Sequence, residues 1–236
     1  MTWSILGRDA ATGALGAALC TRFFAAGALC LRVEGGVGAV ATQALVNPRF
    51  APEGIGRLRE GAVPEAALRA MVASDPGQAA RQLHLMGADG ASARHTGAGC
   101  VDWAGARSAP DVSVAGNMLA GPAVLDATLA AFQASAGQPL ALRLIAALEA
   151  GEAAGGDKRG RQSAALVVAS TDPWPDLDLR VDDHPDPLAE LRRLHAVSGD
   201  YFVHFRRFLP GRDHPGVFDR AVLAEAVATA RAEAMG

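Results

Sequence analysis

Thr2, directly after the initiator methionine, is the residue with the most specific possible chemistry. If Met1 is removed, as a small second residue permits, Thr2 carries both a hydroxyl and a free α-amine. An α-amine, with a pKa of about 7.7–8.0, can act as the general base for the hydroxyl and make it a nucleophile. Many unrelated chains begin with Met-Thr, so an ordinary N-terminal threonine is the alternative.

A glycine-flanked polar segment, residues 155–163, contains Asp157, Arg159 and Gln162 and is followed at once by an apolar run. Loops at the mouth of a core strand commonly present site residues. We therefore predict that Asp157, Arg159 and Gln162 are site residues. A solvated helix-to-strand turn would have the same composition and remains the alternative.

Four more polar residues lie just beyond apolar runs. Arg22, Gln43 and Asn47 are predicted to bind substrate, and Asn117 is predicted to be catalytic. Asn117 lies in a loop ahead of a predicted helix, where it and nearby backbone amides could bind an oxyanion. Each of the four would serve equally well as a helix cap or a turn residue.

Other kinds of site find little support. The chain has no Gly-x-Ser-x-Gly elbow and no P-loop. His184 lies among Asp182, Asp183 and Asp186, but consecutive carboxylates point in different directions, so we predict no metal. The three cysteines match no zinc or redox spacing. We expect no cofactor.

The composition limits the class of protein. Of 236 residues, 50% are apolar and 20% charged, and the net charge is −3, which gives no electrostatic footprint for nucleic acid or an anionic membrane. No apolar run approaches the roughly 20 residues of a spanning helix, and the N-terminus lacks the layout of a secretory signal. We expect a cytoplasmic protein with a small-molecule partner.

Residues 1–170 show blocks of strands and helices in alternation. Turn residues between apolar runs predict strands, and apolar spacing after prolines predicts helices. The predicted strands are 3–6, 14–20, 28–33, 37–43, 82–86, 91–96, 112–115 and 164–169, and the predicted helices begin at Pro52, Pro64, Pro122 and near Pro139. Small residues dominate the first strands, so another layer must pack closely over them.

Residues 171–236 differ from the rest. They begin with a polar, proline-rich stretch, and helical patterns follow Pro187 and Pro215. We predict one α+β domain over 1–170 and a C-terminal helical extension, 171–236, packed on the same domain. Sequential blocks of strands and helices favour a layered arrangement, namely a four-layer αββα sandwich of two antiparallel sheets.

Several motifs together resemble a known bacterial family. They are Thr2-x-Ser4-Ile5-x-x-x-Asp9, the segment from Gly38 to Pro48, Asn117-Met118-Leu119, Gly156-Asp157-x-Arg159-Gly160-x-Gln162-Ser163, and Arg180 to Pro187. Over roughly residues 2–195 the chain resembles domain-of-unknown-function family 1028. The resemblance implies the αββα fold of the N-terminal nucleophile (Ntn) hydrolases.

A more distant similarity is to proteasome-type subunits, whose mature chain starts with a catalytic threonine. Thr2 stands at the corresponding start, and Asp157 stands where an aspartate loop precedes a late strand. Cys20 replaces the second-strand aspartate, Gly160 replaces the loop serine, and the activating lysine has no counterpart. Because proteasome-like sandwiches stack into rings, we also expect a homo-oligomer.

The resemblance implies an Ntn-type amidohydrolase that cleaves a small carboxamide or peptide-like amide through Thr2 after Met1 is removed. Asn117 would bind the oxyanion, and Asp157 would hold the terminal ammonium or a neighbouring arginine. The arginines and Gln162 would orient a polar or anionic substrate. The alternative is a catalytically silent Ntn-fold protein that binds a small molecule or acts in an assembly, since fold does not imply function.

Overall fold

The computed structural model describes residues 2–235, so Met1, whose removal is expected above, lies outside the described residues. The strands form two antiparallel sheets, as predicted. The six-stranded sheet has the order β10-β9-β2-β1-β8-β7, and the four-stranded sheet has the order β3-β4-β5-β6. The strands are β1 Thr2–Arg8, β2 Leu15–Thr21, β3 Leu31–Glu34, β4 Gly38–Ala44, β5 Arg81–Gly87, β6 Ser92–Thr96, β7 Gly105–Ala109, β8 Val112–Asn117, β9 Ser163–Ala169 and β10 Leu177–Val181.

The described chain also contains eight α-helices, and two pairs of them cover the sheets. They are α1 Gly27–Cys30, α2 Phe50–Arg59, α3 Pro64–Ser74, α4 Ala123–Ala134, α5 Leu140–Ala153, α6 Pro187–Asp200, α7 Phe202–Phe205 and α8 Arg220–Met235. The pair α2 and α3 packs on the four-stranded sheet, whereas α4 and α5 pack on the six-stranded sheet. Strands β1 and β2 also contact β4 of the other sheet, so their two faces are both covered.

Small residues in β1 and β2 let the helices approach closely, as predicted. A Cβ atom at Gly7 would lie 2.7 Å from the Phe132 ring of α4, and one at Gly16 would lie 2.6 Å from Leu144 of α5. On the opposite face of these strands, leucines and alanines form an apolar cluster with β4 and β9. Every residue of β2 is buried in consequence.

One predicted boundary and two omissions need correction. The segment predicted as strand 28–33 begins as the short helix α1, and its strand starts only at Leu31. Strand β7 was not predicted, and β10 lies in the stretch predicted to be irregular. Both are edge strands of the six-stranded sheet.

The chain divides into two compact units, Met1–Leu191 and Arg192–Gly236. The first unit therefore extends past the predicted boundary at 170, because β10 pairs with β9 in its sheet. The second unit contains the end of α6, then α7 and α8, and within it the rings of Tyr201 and Phe205 stack at 5.7 Å. Across residues 2–235, no helix is both long and apolar enough to cross a bilayer.

Candidate functional site

At one end of the six-stranded sheet, four neighbouring strands begin or end with a polar residue, and these four residues form a row. Thr2 pairs with Asn117 of β8, and Thr21 of β2 pairs with Ser163 of β9. The Thr2 and Thr21 hydroxyls are 3.1 Å apart and hydrogen-bonded. Thr2 is only 4% exposed and Asn117 only 2%. The predicted nucleophile and the predicted oxyanion residue are thus adjacent at one end of the sheet.

Gln43 lies beneath Thr2, between the two sheets, and is 1% exposed. Its Nε2 lies 3.3 Å from the Thr2 carbonyl oxygen, 3.1 Å from the Ala115 carbonyl oxygen and 2.8 Å from Gln82 Oε1, so its two N–H groups are shared among three acceptors. Its Oε1 accepts a hydrogen bond from the Ser4 hydroxyl at 2.8 Å. The amide expected to contact substrate is instead enclosed by protein groups, and it holds Thr2 in place.

His84 continues this buried network away from Thr2. Its Nε2 lies 2.9 Å from Ser4 Oγ, and its Nδ1 lies 2.9 Å from Ser113 Oγ. Ser4 already donates its proton to Gln43, so His84 Nε2 must be the donor to Ser4, and Nδ1 accepts from Ser113. Burial, with a smaller effect of the Arg94 charge, lowers the pKa of His84 from 6.5 to about 3. The imidazole is therefore neutral.

Asp157 organises the polar loop that was predicted to form part of the site. Its carboxylate accepts hydrogen bonds from the backbone N–H groups of Arg22 (3.1 Å) and Arg159 (3.0 Å). It also forms an ion pair with the Arg159 guanidinium at 3.0 Å, and its own side chain is fully buried. Because Arg22 directly follows Thr21, these contacts fix the loop beside the hydroxyl pair. Among the described residues, the charged partner of Asp157 is therefore Arg159.

The loop after Asn117 does not offer backbone amides to an oxyanion, contrary to expectation. The N–H groups of Met118, Leu119 and Ala120 donate to the carbonyls of Val101, Trp103 and Gly156. The Asn117 side chain uses one N–H to bond Gln82 Oε1 at 3.0 Å. An amide nitrogen carries two protons, so the oxyanion role reduces to the second N–H of Asn117.

The remaining predicted binding residues are dispersed. Arg22 is exposed, with one guanidinium nitrogen 3.5 Å from the Arg161 carbonyl. Gln162 donates its side-chain amide to Asp183 at 3.0 Å, so that contact secures the 182–184 turn. Asn47 accepts a hydrogen bond from the Arg49 backbone and lines a separate cavity. The structure does not bring Asn47 into the Thr2 group.

Sequence reasoning missed a charged cluster next to the Asp157 loop. Arg161 forms ion pairs with Glu152 at 2.6 Å and with Asp186 at 3.1 Å. Three buried side-chain atoms here have no hydrogen-bond partner among the described residues, namely Glu152 Oε2, Arg161 Nε and Trp3 Nε1. Glu152 lies on α5, whose sequence is typical of a buried helix. Only its charge among apolar neighbours could have indicated a functional position.

It also missed Ser4, Gln82, His84 and Ser113. These residues occupy alternate positions of β1, β5 and β8, where the period of two would have identified them as sharing a face. Within residues 2–235, no group of three or more His, Cys, Asp or Glu side chains is placed to hold a metal ion. The chain's one lysine, Lys158, donates its ammonium to the Asp102 carbonyl at 3.0 Å.

Comparisons with known proteins identify relatives of the whole first unit. A family model described as "Family of unknown function (DUF1028)" matches residues 2–191. The crystal structure of protein SPO2555 from Silicibacter pomeroyi, of the same family, is 36% identical; the alignment covers 93% of this chain and 96% of that one, with a TM-score of 0.86. Anbu (ancestral beta-subunit) from Yersinia bercovieri is 14% identical, with 89% and 98% coverage and a TM-score of 0.38, too low to support an argument. No match was found among curated proteins.

Proposed function

The chain belongs to the DUF1028 family, and from that premise we propose that it is an N-terminal-nucleophile amide hydrolase in which Thr2 attacks the substrate once Met1 has been removed. One observation carries the proposal. Thr2 is the first residue of a central strand, hydrogen-bonded to Thr21 and paired with Asn117. A hydroxyl, a potential terminal amine and an amide donor therefore meet at one point.

The layer order supports the same proposal. The helix pair α4 and α5 covers the six-stranded sheet, and the helix pair α2 and α3 covers the four-stranded sheet, with the two sheets face to face between them. An αββα order of this kind is what the resemblance to Ntn hydrolases implies. In that arrangement the nucleophile begins a strand, as Thr2 does here.

The proposed reaction proceeds in two steps. Thr2 Oγ1 attacks the amide carbonyl carbon while its proton passes to the residue's own α-amine, and the oxyanion accepts the second N–H of Asn117. The C–N bond then breaks, the α-ammonium returns the proton to the leaving nitrogen, and an ester on Thr2 remains. Water, deprotonated by the same amine, cleaves that ester to a carboxylic acid and restores the hydroxyl.

The polar loop would contact the substrate beside Thr2. Asp157 is a positioning residue, because its carboxylate is already used by Arg159 and by the Arg22 backbone. The guanidinium groups of Arg22 and Arg159 are partly exposed and would bind a polar or anionic part of the amide. The Gln43 amide positions Thr2 by bonding the Thr2 backbone carbonyl. We assign Asn47 no role in the reaction.

Mass spectrometry and kinetics test the proposal together. The purified protein should lack Met1, and a β-lactone probe should add its mass to the peptide that begins with Thr2. Thr2→Ala should abolish labelling and lower amidase turnover by about 10³-fold or more, whereas Thr2→Ser should retain part of both. Thr171→Ala, at an exposed threonine, is the control. Intact Met1 in the active protein, or full turnover by Thr2→Ala, would remove the proposal.

A silent binding or assembly protein is the second candidate. It is favoured by Cys20, which occupies the strand position of the proteasomal aspartate; burial raises the pKa of its thiol, so it offers no charge there. Lys158 is turned to a backbone carbonyl. If an amide binds wild type and Thr2→Ala equally and the lactone forms no adduct, this candidate replaces the hydrolase. Light scattering tests separately the homo-oligomer expected from the similarity to proteasome-type subunits, and a monomer would exclude an assembly role.

A further inference from the structure

An apolar cavity of about 330 Å³ opens next to the Thr2–Asn117 pair. Its volume lies at the lower end of the roughly 300–1,000 Å³ range of small-molecule sites. Asn117 is its polar wall, and the remaining lining is Ala44, Leu45, Ala80, Gly99, Cys100, Val101 and Met118. None of these residues carries a charge, unlike the Asp157 loop, which borders the cavity wall through the Lys158 N–H bond to the Met118 carbonyl.

Two further observations mark the cavity as more than a gap in packing. Leu45 is 67% exposed and Val101 is 53% exposed, so two apolar side chains at the cavity are in contact with water. Ala44 and Met118, which both line the cavity, have positive φ angles of 70° and 56°. Non-glycine residues rarely adopt this conformation, and such strain concentrates at ligand sites.

We infer that this cavity receives the acyl group of the amide, and that the group is short, uncharged and apolar. The inference rests on the proposed function. A carbonyl carbon at Thr2 Oγ1, with its oxygen at Asn117, places the acyl chain where Asn117 meets the cavity. Leu45, Ala80 and Val101 then determine specificity.

Chain length provides the first test. Across acetyl, butyryl and hexanoyl p-nitroanilides, each buried methylene should raise kcat/KM by about fourfold, so butyryl should exceed acetyl by about fifteenfold. A succinyl amide, of similar length but charged, should fall at least tenfold below butyryl because its carboxylate would be buried without a partner. Ala80→Leu, which fills the cavity, should remove the preference for longer chains, so that the butyryl-to-acetyl ratio of kcat/KM falls to about one. Ala79→Leu, at an exposed neighbour in the same turn, should keep the wild-type preference.

Protection of Cys100 provides a second test that needs no turnover. Cys20 and Cys30 are buried, whereas Cys100 is half-buried at the cavity, with its thiol donating to the Arg81 carbonyl at 3.3 Å. In Thr2→Ala, hexanamide should slow alkylation of Cys100 by N-ethylmaleimide at pH 8.5, and acetamide should not. The same protection should be lost in Thr2→Ala combined with Ala80→Leu.

The two tests separate this inference from the hydrolase proposal. Protection without any turnover supports an apolar ligand site and overturns the hydrolase. Turnover that ignores chain length, together with no protection by hexanamide up to its solubility limit, overturns the cavity assignment and leaves the hydrolase standing. Absence of both overturns both.

Discussion

Replacing His84 should change how the protein's stability depends on pH. The side chain is fully buried, and burial lowers its pKa to about 3, whereas a histidine in the unfolded chain has a pKa of about 6.5. Between these values the unfolded chain binds a proton that the folded protein excludes. The free energy of unfolding therefore falls as the pH drops below about 6.5, and it continues to fall until about pH 3.

The size of the effect follows from the difference in pKa. Each pH unit within that window corresponds to about 1.4 kcal/mol, so between pH 7 and pH 5 the group should remove about 2 kcal/mol of stability. His84→Gln keeps a donor and an acceptor between the Ser4 and Ser113 hydroxyls but does not titrate. At pH 8 it should be less stable than wild type, and that deficit should shrink by about 2 kcal/mol at pH 5.

Urea unfolding at pH 5, 6, 7 and 8 measures these differences directly. His95→Gln is the matched control for the replacement of a histidine by glutamine, since His95 lies opposite Leu83 on the neighbouring strand and is partly exposed. The reasoning is refuted if the wild-type and His84→Gln curves are parallel. An NMR titration in which the His84 ring protonates above pH 6 would refute it independently.

Two further pairs of variants test the packing and the polar loop by urea unfolding. A Cβ at Gly38 would lie 2.5 Å from Leu58 of α2, so Gly38→Ala should lower the free energy of unfolding by about 1–3 kcal/mol. A Cβ at Gly56 would meet no atom within 4 Å, so Gly56→Ala should raise it by about 0.5–1 kcal/mol. Equal effects of the two replacements would contradict the packing at Gly38. Asp157→Asn weakens a buried ion pair and should cost about 2 kcal/mol, whereas Asp126→Asn, in an exposed ion pair, should cost under about 1 kcal/mol. Equal losses would show that the loop does not depend on the carboxylate.

The strands that could be predicted from the sequence and those that could not differ in their position within the six-stranded sheet. Strands β1, β2 and β9 are central, covered on both faces, and therefore appear as continuous apolar runs. Strands β7 and β10 are the two edges of the same sheet. Edge strands bury less and tolerate charge and proline nearby. The alternation of Leu177, Leu179 and Val181 was visible, but the preceding prolines and aspartates outweighed it.

The candidate site could be predicted where it depends on strand ends. Thr2 and Asn117 each end a strand of one sheet, and the register joins them. Gln43 was predicted to bind substrate, but its contact with the Thr2 carbonyl could not be predicted, because that contact depends on how the second sheet lies over the first. Asn47 lies apart from the Thr2 group for a local reason: its side chain accepts the Arg49 backbone N–H at the start of α2.

The buried polar network has its simplest explanation in the position of Thr2. Toward the far ends of β1 and β5, the space between the sheets is filled by apolar side chains such as Leu6 and Met86. At the Thr2 end the same faces carry Ser4, Gln82 and His84, although burying polar groups costs stability unless each is hydrogen-bonded. A chain terminus also tends to fray unless it is tied down. The Gln43 amide bonds the Thr2 carbonyl, so the polar interior at this end adds to the strand pairing and the Thr21 bond that hold the first residue of β1. A leucine at position 43 could fill the space, but it could not hold that carbonyl.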